Sequence, residues 1–242
     1  MESSLWDAIE KVERRHWWFR GRRELVATVL RGRLAAGSRV LDVGCGTGFV
    51  LERLAQHFDA WGLEPEESVR TRALPEIRPR ILAGSTDDLT AVDKHSFDAV
   101  TLLDVLEHID DDAAALRNVL TVLRPGGFVL VTVPAFPSLW SSHDELNRHR
   151  RRYSKAAFRL LLDHAGLEPS TVSYVNARLF PLAMVHRALA RVVGASASPS
   201  ELAVPPNRLN ELFARLFAGE ARSVGRGYPF GLSLLGLAQV SA

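Results

Sequence analysis

Three glycines and two acids carry the first recognisable chemistry of this chain. Gly44, Gly46 and Gly48 follow a short apolar run, Arg39-Val40-Leu41-Asp42-Val43, and precede a helical pattern from Phe49 to Ala55. A strand, a glycine turn and a helix start bring backbone N–H groups up to a nucleotide-like ligand, because no side chain stands in the way. Glu64 closes the next apolar run, Ala60-Trp61-Gly62-Leu63. A carboxylate there accepts from both hydroxyls of a ribose. The glycines are spaced G-x-G-x-G, and Phe49 stands where a dinucleotide fingerprint has its third glycine. Asp42, at the strand end, suits a cationic amino group and sits badly beside a pyrophosphate. Cys45, inside the turn, reads as a small packed residue and not as a nucleophile.

A second group of residues has the chemistry of proton transfer. The segment Ser142 to Tyr153, SHDELNRHRRRY, follows the fifth predicted strand. In open α/β sheets ligands bind outside the carboxyl ends of the strands, which is where this segment starts. His143 and His149 are therefore the candidate bases, with Asp144 to orient one of them. His108, after the fourth strand, lies on the same side. Arg150, Arg151 and Arg152 would either hold an acidic substrate or line a helix approach with salt bridges. The spacing of His and Asp matches no recognised ligand pattern, so no metal is expected.

These groups need a sheet to position them. Strands are predicted near 39–43, 59–63, 79–83, 97–103 and 127–133. Helices are predicted between them near 48–57, 66–73, 86–90 and 111–122. The alternation argues for a parallel sheet with helices on both faces. Two helices, Leu5 to Arg15 and Phe19 to Leu34, precede it as N-terminal cap helices over about 1–36. Asp110-Asp111-Asp112 is a helix start, and Arg124-Pro125-Gly126-Gly127 reads as a stop and turn. Ser154 caps a helix from Lys155 to Ala165, and strands follow near 167–176 and 231–240. Between those strands, about 178–220 forms a helical insert of two amphipathic helices joined by GASASPSELAVPP.

The run VLDVGCGTG (Val40 to Gly48), with Glu64, FDAVTLLDVLEHI (Phe97 to Ile109) and LRPGGFVLVTVP (Leu123 to Pro134), resembles the class I S-adenosylmethionine (SAM)-dependent methyltransferases. The likeness extends over roughly residues 13–176, and the chain is similar to ubiquinone-biosynthesis-type O-methyltransferases. It implies a doubly wound, seven-stranded, mostly parallel sheet of order 3-2-1-4-5-7-6 with the last strand antiparallel, all in one domain over 1–242. It implies SAM as cofactor. Gly44, Cys45, Gly46 and Gly48 would pass under its methionine part, Asp42 would face its amino group and Glu64 its ribose. Ser85 and Thr86 stand where the family often reads adenine with an acid, and Leu103 and Asp104 end the fourth strand beside the cofactor. An N-terminal segment closing over the cofactor would let Arg22 or Arg23 pair with its carboxylate, and Arg23 is preferred. The activity implied is methyl transfer to a small-molecule or lipid-linked acceptor, most simply at oxygen. The alternatives are an NAD-type oxidoreductase on a related sheet and a SAM-binding module without turnover.

Composition bounds the rest. The chain has 242 residues, 47% of them hydrophobic, enough for one large core. Residues 1–121 carry 16 basic and 21 acidic groups, a net of −5, and residues 122–242 carry 14 and 7, a net of +7. The arginine run is too short for a nucleic-acid surface. The single cysteine excludes a disulfide framework and fits a reducing compartment. The charged N-terminus lacks an export signal's apolar core, so a cytoplasmic location is expected. Over 179–193 a wet apolar face would touch a membrane, with His186, Arg187 and Arg191 meeting anionic headgroups. A lid over the acceptor is preferred, because Ala-rich faces bind bilayers poorly.

Overall fold

The computed structural model describes residues 3–192 and 203–240. Two helices open the chain, α1 (Ser3–Glu13) and α2 (Trp17–Arg31). The second starts at Trp17 because His16 caps it: Nδ1 accepts from the Trp18 N–H at 3.2 Å. Strand β1 (Arg39–Val43) then leads through the glycine turn into α3 (Phe49–Leu54), and β2 (Asp59–Leu63) leads into α4 (Glu67–Arg70).

Strand β3 is only Ile81–Leu82, shorter than expected. The three residues before it, Arg78-Pro79-Arg80, wind into a 3₁₀ turn, and a proline has no N–H to give to a ladder. The helix expected over 86–90 does not form. The Ser85 hydroxyl accepts from the N–H groups of Asp87 and Asp88 at 3.1 and 3.2 Å, which holds a turn in its place.

The rest of the sheet is β4 (Phe97–Leu103), β5 (Leu123–Pro134), β6 (Leu167–Val175) and β7 (Ser233–Val240). The expected stop at Arg124 to Gly127 lies inside β5. Leu123 already pairs with Phe97, and the register shifts before pairing resumes at Ala99 and Phe128. Helices α5 (Asp112–Leu120), α6 (Ser142–Leu146) and α7 (Lys155–His164) complete the alternation.

The seven strands lie in the order β3-β2-β1-β4-β5-β7-β6, with β7 antiparallel to both neighbours. Successive residues alternate between two cores. Leu41, Val100, Val129 and Val131 face α5 and α7 through Leu116 and Phe158. Val40, Ala99, Phe128 and Leu130 face α2 and α3 through Leu25 and Leu51. Apolar surface on both sheet faces is why these strands read as nearly continuous apolar runs.

The insert holds α8 (Phe180–Val192) and α9 (Asn207–Ala218). Its second helix packs on α2. A Cβ on Gly21 would lie 2.8 Å from Phe217, so the glycine admits close contact there. Asn210, 5% exposed, accepts from the Trp17 N–H at 2.8 Å and donates to the Arg15 carbonyl at 2.7 Å. One side chain thus satisfies the α1–α2 junction from the insert.

Candidate active site

The turn after β1 is built for close backbone approach. Gly44, Gly46 and Gly48 have φ of 72°, 57° and 78°, a region that disfavours any side chain. The N–H groups of Gly44 and Cys45 both donate to the Leu63 carbonyl, at 2.8 and 3.0 Å, and so lash the turn to the end of β2. The Cys45 thiol points down onto β2: a Cβ on Gly62 would lie 2.5 Å from its sulfur. Cys45 therefore presents only its backbone to the turn, and burial pushes its thiol pKa up.

Glu64 is 5% exposed. Its carboxylate accepts from the Gly46 and Glu66 N–H groups, both at 3.1 Å. Each oxygen keeps a further lone pair, so the group can still accept from a diol. Burial raises its pKa despite these bonds. Asp42, 2% exposed, accepts from the Thr101 hydroxyl at 2.6 Å. Burial raises its pKa to about 6, against the opposing pull of that bond and of Arg22. A buried acid held back from ionising is a good partner for an incoming cation. Thr101 was missed in the sequence; the signal was a hydroxyl inside an otherwise apolar strand.

The N-terminal helix closes on this turn. The Trp6 ring lies 3.1 Å from where a Gly46 Cβ would stand. The Thr47 hydroxyl donates to Glu13, which is 5% exposed, at 2.7 and 2.9 Å. Arg72 pairs with Asp7 and Glu10, both at 2.7 Å. These tethers were not legible, because they join residues more than thirty positions apart. Arg22 and Arg23 part company. Arg22 reaches Asp104 at the end of β4 and stacks 4.4 Å from the Trp18 ring. Arg23 lies over Phe49 at 4.1 Å, and burial lowers its pKa. The structure thus brings Arg22, and not the preferred Arg23, to the strand ends. Asp104 has φ of 58°, Leu103 is buried, Thr86 is buried, and the Ser85 hydroxyl serves its own turn.

On the acceptor side the fold assembles a polar cluster from distant segments. Asp144 is fully buried. One of its oxygens caps α6 through the Ser141 N–H at 2.9 Å. The other takes His149 Nδ1 at 2.9 Å and Arg152 Nε at 2.7 Å. Burial opposes ionisation of Asp144, but the bonds to His149 and Arg152 outweigh it and hold its carboxyl well below the usual range. With Asp144 ionised, His149 Nδ1 carries the hydrogen of this bond. The His149 ring stands edge-on to His108 at 4.8 Å, and to His143 at 6.2 Å. His143 is engaged with Asn147, its Nε2 lying 3.2 Å from the amide nitrogen. Burial, with His149 close by, lowers His108 to about 4, so it stays neutral at neutral pH.

The arginine run holds this geometry. Arg150 pairs with Asp110, Arg151 with Asp112 at 3.1 Å, and Arg152 with Asp144. The Arg150 N–H also donates to the Glu107 carbonyl at 2.7 Å. The run is therefore a structural clamp between the segments after β4 and β5. Glu107 was missed: it is fully buried, and among the described residues neither carboxylate oxygen has a hydrogen-bond partner. Burial, and then the charge of Asp104, raise its pKa well above the usual range. Glu107, His108 and His149 each offer one ligand atom within 4.8 Å of the others, a grouping able to hold a divalent cation. Only the fold reveals it, because His149 comes from another loop.

Comparison with known proteins places the chain in a family. A family model described as a methyltransferase domain matches residues 13–172. The ubiquinone biosynthesis O-methyltransferase of Xanthomonas euvesicatoria pv. vesicatoria is 38% identical over 128 residues, 50% of this chain and 52% of that protein. Its counterpart in Xanthomonas axonopodis pv. citri is 41% identical over 98 residues, 38% of this chain and 41% of that protein. The chain thus spans about half, or less, of the length of these curated relatives. Among solved structures, the methyltransferase chain in a complex with the Haloferax volcanii Trm112 methyltransferase activator superposes with a TM-score of 0.63 at 22% identity, covering 99% of this chain and 96% of that one. Haemonchus contortus phosphoethanolamine N-methyltransferase 2, solved with SAM, gives 0.60 at 16% identity, covering 91% and 53%. At such identities the structures show a shared fold.

Proposed function

The chain belongs to the methyltransferase-domain family, as a class I SAM-dependent methyltransferase, and from that premise we propose that it methylates an oxygen of a small-molecule or lipid-linked acceptor with His149 as the base. The residues fit the cofactor. The turn glycines put no side chain on the turn, Glu64 keeps lone pairs for a diol, and Asp42 is a buried acid in the strand that leads into it. When bound, SAM supplies a methyl group on a sulfonium, already a strong electrophile. The dinucleotide reading is set aside by the family match, and with it an NAD-type oxidoreductase.

What remains for the protein is to place the acceptor, exclude water and take a proton. The observation that carries the proposal is the buried Asp144 held 2.9 Å from His149 Nδ1. This bond fixes the ring and its tautomer, leaving Nε2 to receive the acceptor's proton. The positive charge that then forms on His149 is stabilised by the ionised Asp144. Neutral His108 beside it adds no opposing charge. The partial ubiquinone-pathway relatives support oxygen as the methylated atom. A second reading rests on the orphaned carboxylate of Glu107: with His108 and His149 it would hold a divalent cation, in place of His149 acting as base.

The test is incubation with methyl-labelled SAM and an organic extract of cells, in the presence and absence of a chelator. Label transferred to an oxygen and unaffected by chelation supports the base. Label abolished by chelation favours the cation. No transfer to any component, with SAM still bound in calorimetry, would instead make the chain a binding module.

A further inference from the structure

Helix α8 has a wet apolar stripe. Leu182, Val185 and Leu189, spaced three and four residues apart and so on one side, are 53%, 57% and 60% exposed. Large aliphatic side chains exposed together in this way mark an interaction surface. The described exposed residues of the stripe are Leu and Val.

The stripe is continuous with the acceptor side of the molecule. Phe136 follows β5 and has φ of 57°, a strained conformation for a phenylalanine. Its ring stacks on Tyr174 at 5.0 Å and 12°, and meets Phe180, the first residue of α8, at 5.8 Å. Phe180 in turn meets Phe230 at 5.3 Å, and Phe230 is 41% exposed. An unbroken line of rings therefore runs from the end of β5 to the start of the exposed stripe.

Charge points to one occupant. Between 178 and 226 the sequence has Arg178, Arg187, Arg191, Arg208, Arg215, Arg222 and Arg226, against only Glu201, Glu211 and Glu220. Glu220 is fully buried, accepting from the Ala177 and Arg178 N–H groups at 2.9 Å at the foot of α8, and Glu211 pairs with Arg20 and Arg215. The side chains of His186, Arg187 and Arg191 lie outside the described ones, and their charges are those of the sequence. An apolar stripe in a cationic segment is the pattern of a helix lying in the interface of an anionic membrane.

We propose that α8 docks this protein on an anionic lipid surface through Leu182, Val185 and Leu189. With the acceptor reading above, which this clause alone rests on, the ring line would then open the acceptor site toward the lipid.

The test is co-sedimentation with vesicles of phosphatidylcholine, with and without phosphatidylglycerol, and needs no acceptor. The wild-type chain is expected to pellet with the phosphatidylglycerol vesicles and much less with pure phosphatidylcholine. Replacing Leu182→Ser, Val185→Ser or Leu189→Ser should each lower the partition constant by about tenfold, from the apolar area lost. These side chains are exposed, so SAM binding by calorimetry should be unchanged and reports folding. Wild-type protein that stays in the supernatant, or pellets equally with both lipids, overturns the proposal. So does a triple variant that still pellets as wild type. Stripe-dependent self-association in place of vesicle binding also overturns it, by making the face an interface between copies.

Discussion

Glu64→Ala tests the cradle most sharply, because the structure gives this carboxylate two duties. It closes the glycine turn by accepting from the Gly46 and Glu66 N–H groups, both at 3.1 Å, and under the proposed function it also accepts from the ribose. Truncation leaves two N–H groups unpartnered at a site that is 5% exposed. A hydrogen bond to a charged acceptor contributes about 1.5–3 kcal/mol. Burial, which raises the Glu64 pKa, places these bonds at the low end, so a loss of about 3 kcal/mol is expected for the free protein. For a chain of this size that corresponds to a melting temperature lower by about 6–12 °C. Loss of the acceptor for two ribose hydroxyls should separately weaken SAM by at least about tenfold. Glu64→Gln keeps one acceptor oxygen and should fall between the two in both measurements. Thermal unfolding without ligand and calorimetry with SAM at a temperature where both proteins are folded separate the two effects. A Glu64→Ala protein that melts with the wild type would refute the turn-closing role. One that binds SAM with unchanged affinity would refute the ribose assignment.

Three further outcomes are expected. Asp42 has a folded pKa raised to about 6, so the fold favours its protonated form and its contribution to stability falls as pH rises through that value. SAM, carrying a cation to it, should bind more weakly as pH drops below about 6, and Asp42→Asn should flatten that dependence in calorimetry; a wild-type affinity constant from neutral pH down to about 5 would contradict the pairing. His149→Gln and Asp144→Asn should each lower turnover by roughly 10²–10⁴ while leaving SAM affinity near wild type, and a saturated reaction at normal rate in both would leave positioning as the sole source of catalysis. Gly46→Val should abolish SAM binding and destabilise the protein by at least about 1–2 kcal/mol through its left-handed backbone; because the Trp6 ring lies only 3.1 Å from the new Cβ, adding Trp6→Ala should relieve the steric part and not the backbone part, which denaturant unfolding would show.

The strands, the glycine turn and the acid after β2 were legible in the sequence because each is a local signal. Apolar runs of five to seven residues such as Arg39–Val43 and Phe97–Leu103 describe strands covered on both faces, and a G-x-G-x-G turn needs positive φ wherever the chain places it. Where a local competitor exists, the structure departs from the periodic pattern. The Ser85 hydroxyl captured the backbone that was expected to form a helix, and Pro79 shortened β3 from the inside. The site's partners were a different matter. Nearness in sequence points Asp144 to His149, but that Thr101 serves Asp42 follows only from which strand lies beside which, and that Glu13 serves Thr47 and Arg22 reaches Asp104 only from how α1 and α2 pack over the strand ends. The same holds for Asn210, whose amide binds the α1–α2 junction from nearly two hundred residues away. Periodicity and turn chemistry act over a few residues and survive in a linear text. Buried polar groups find their partners wherever the packed chain presents them, because leaving them unpaired is costly, and that pairing is settled only when the sheet and its helices have closed.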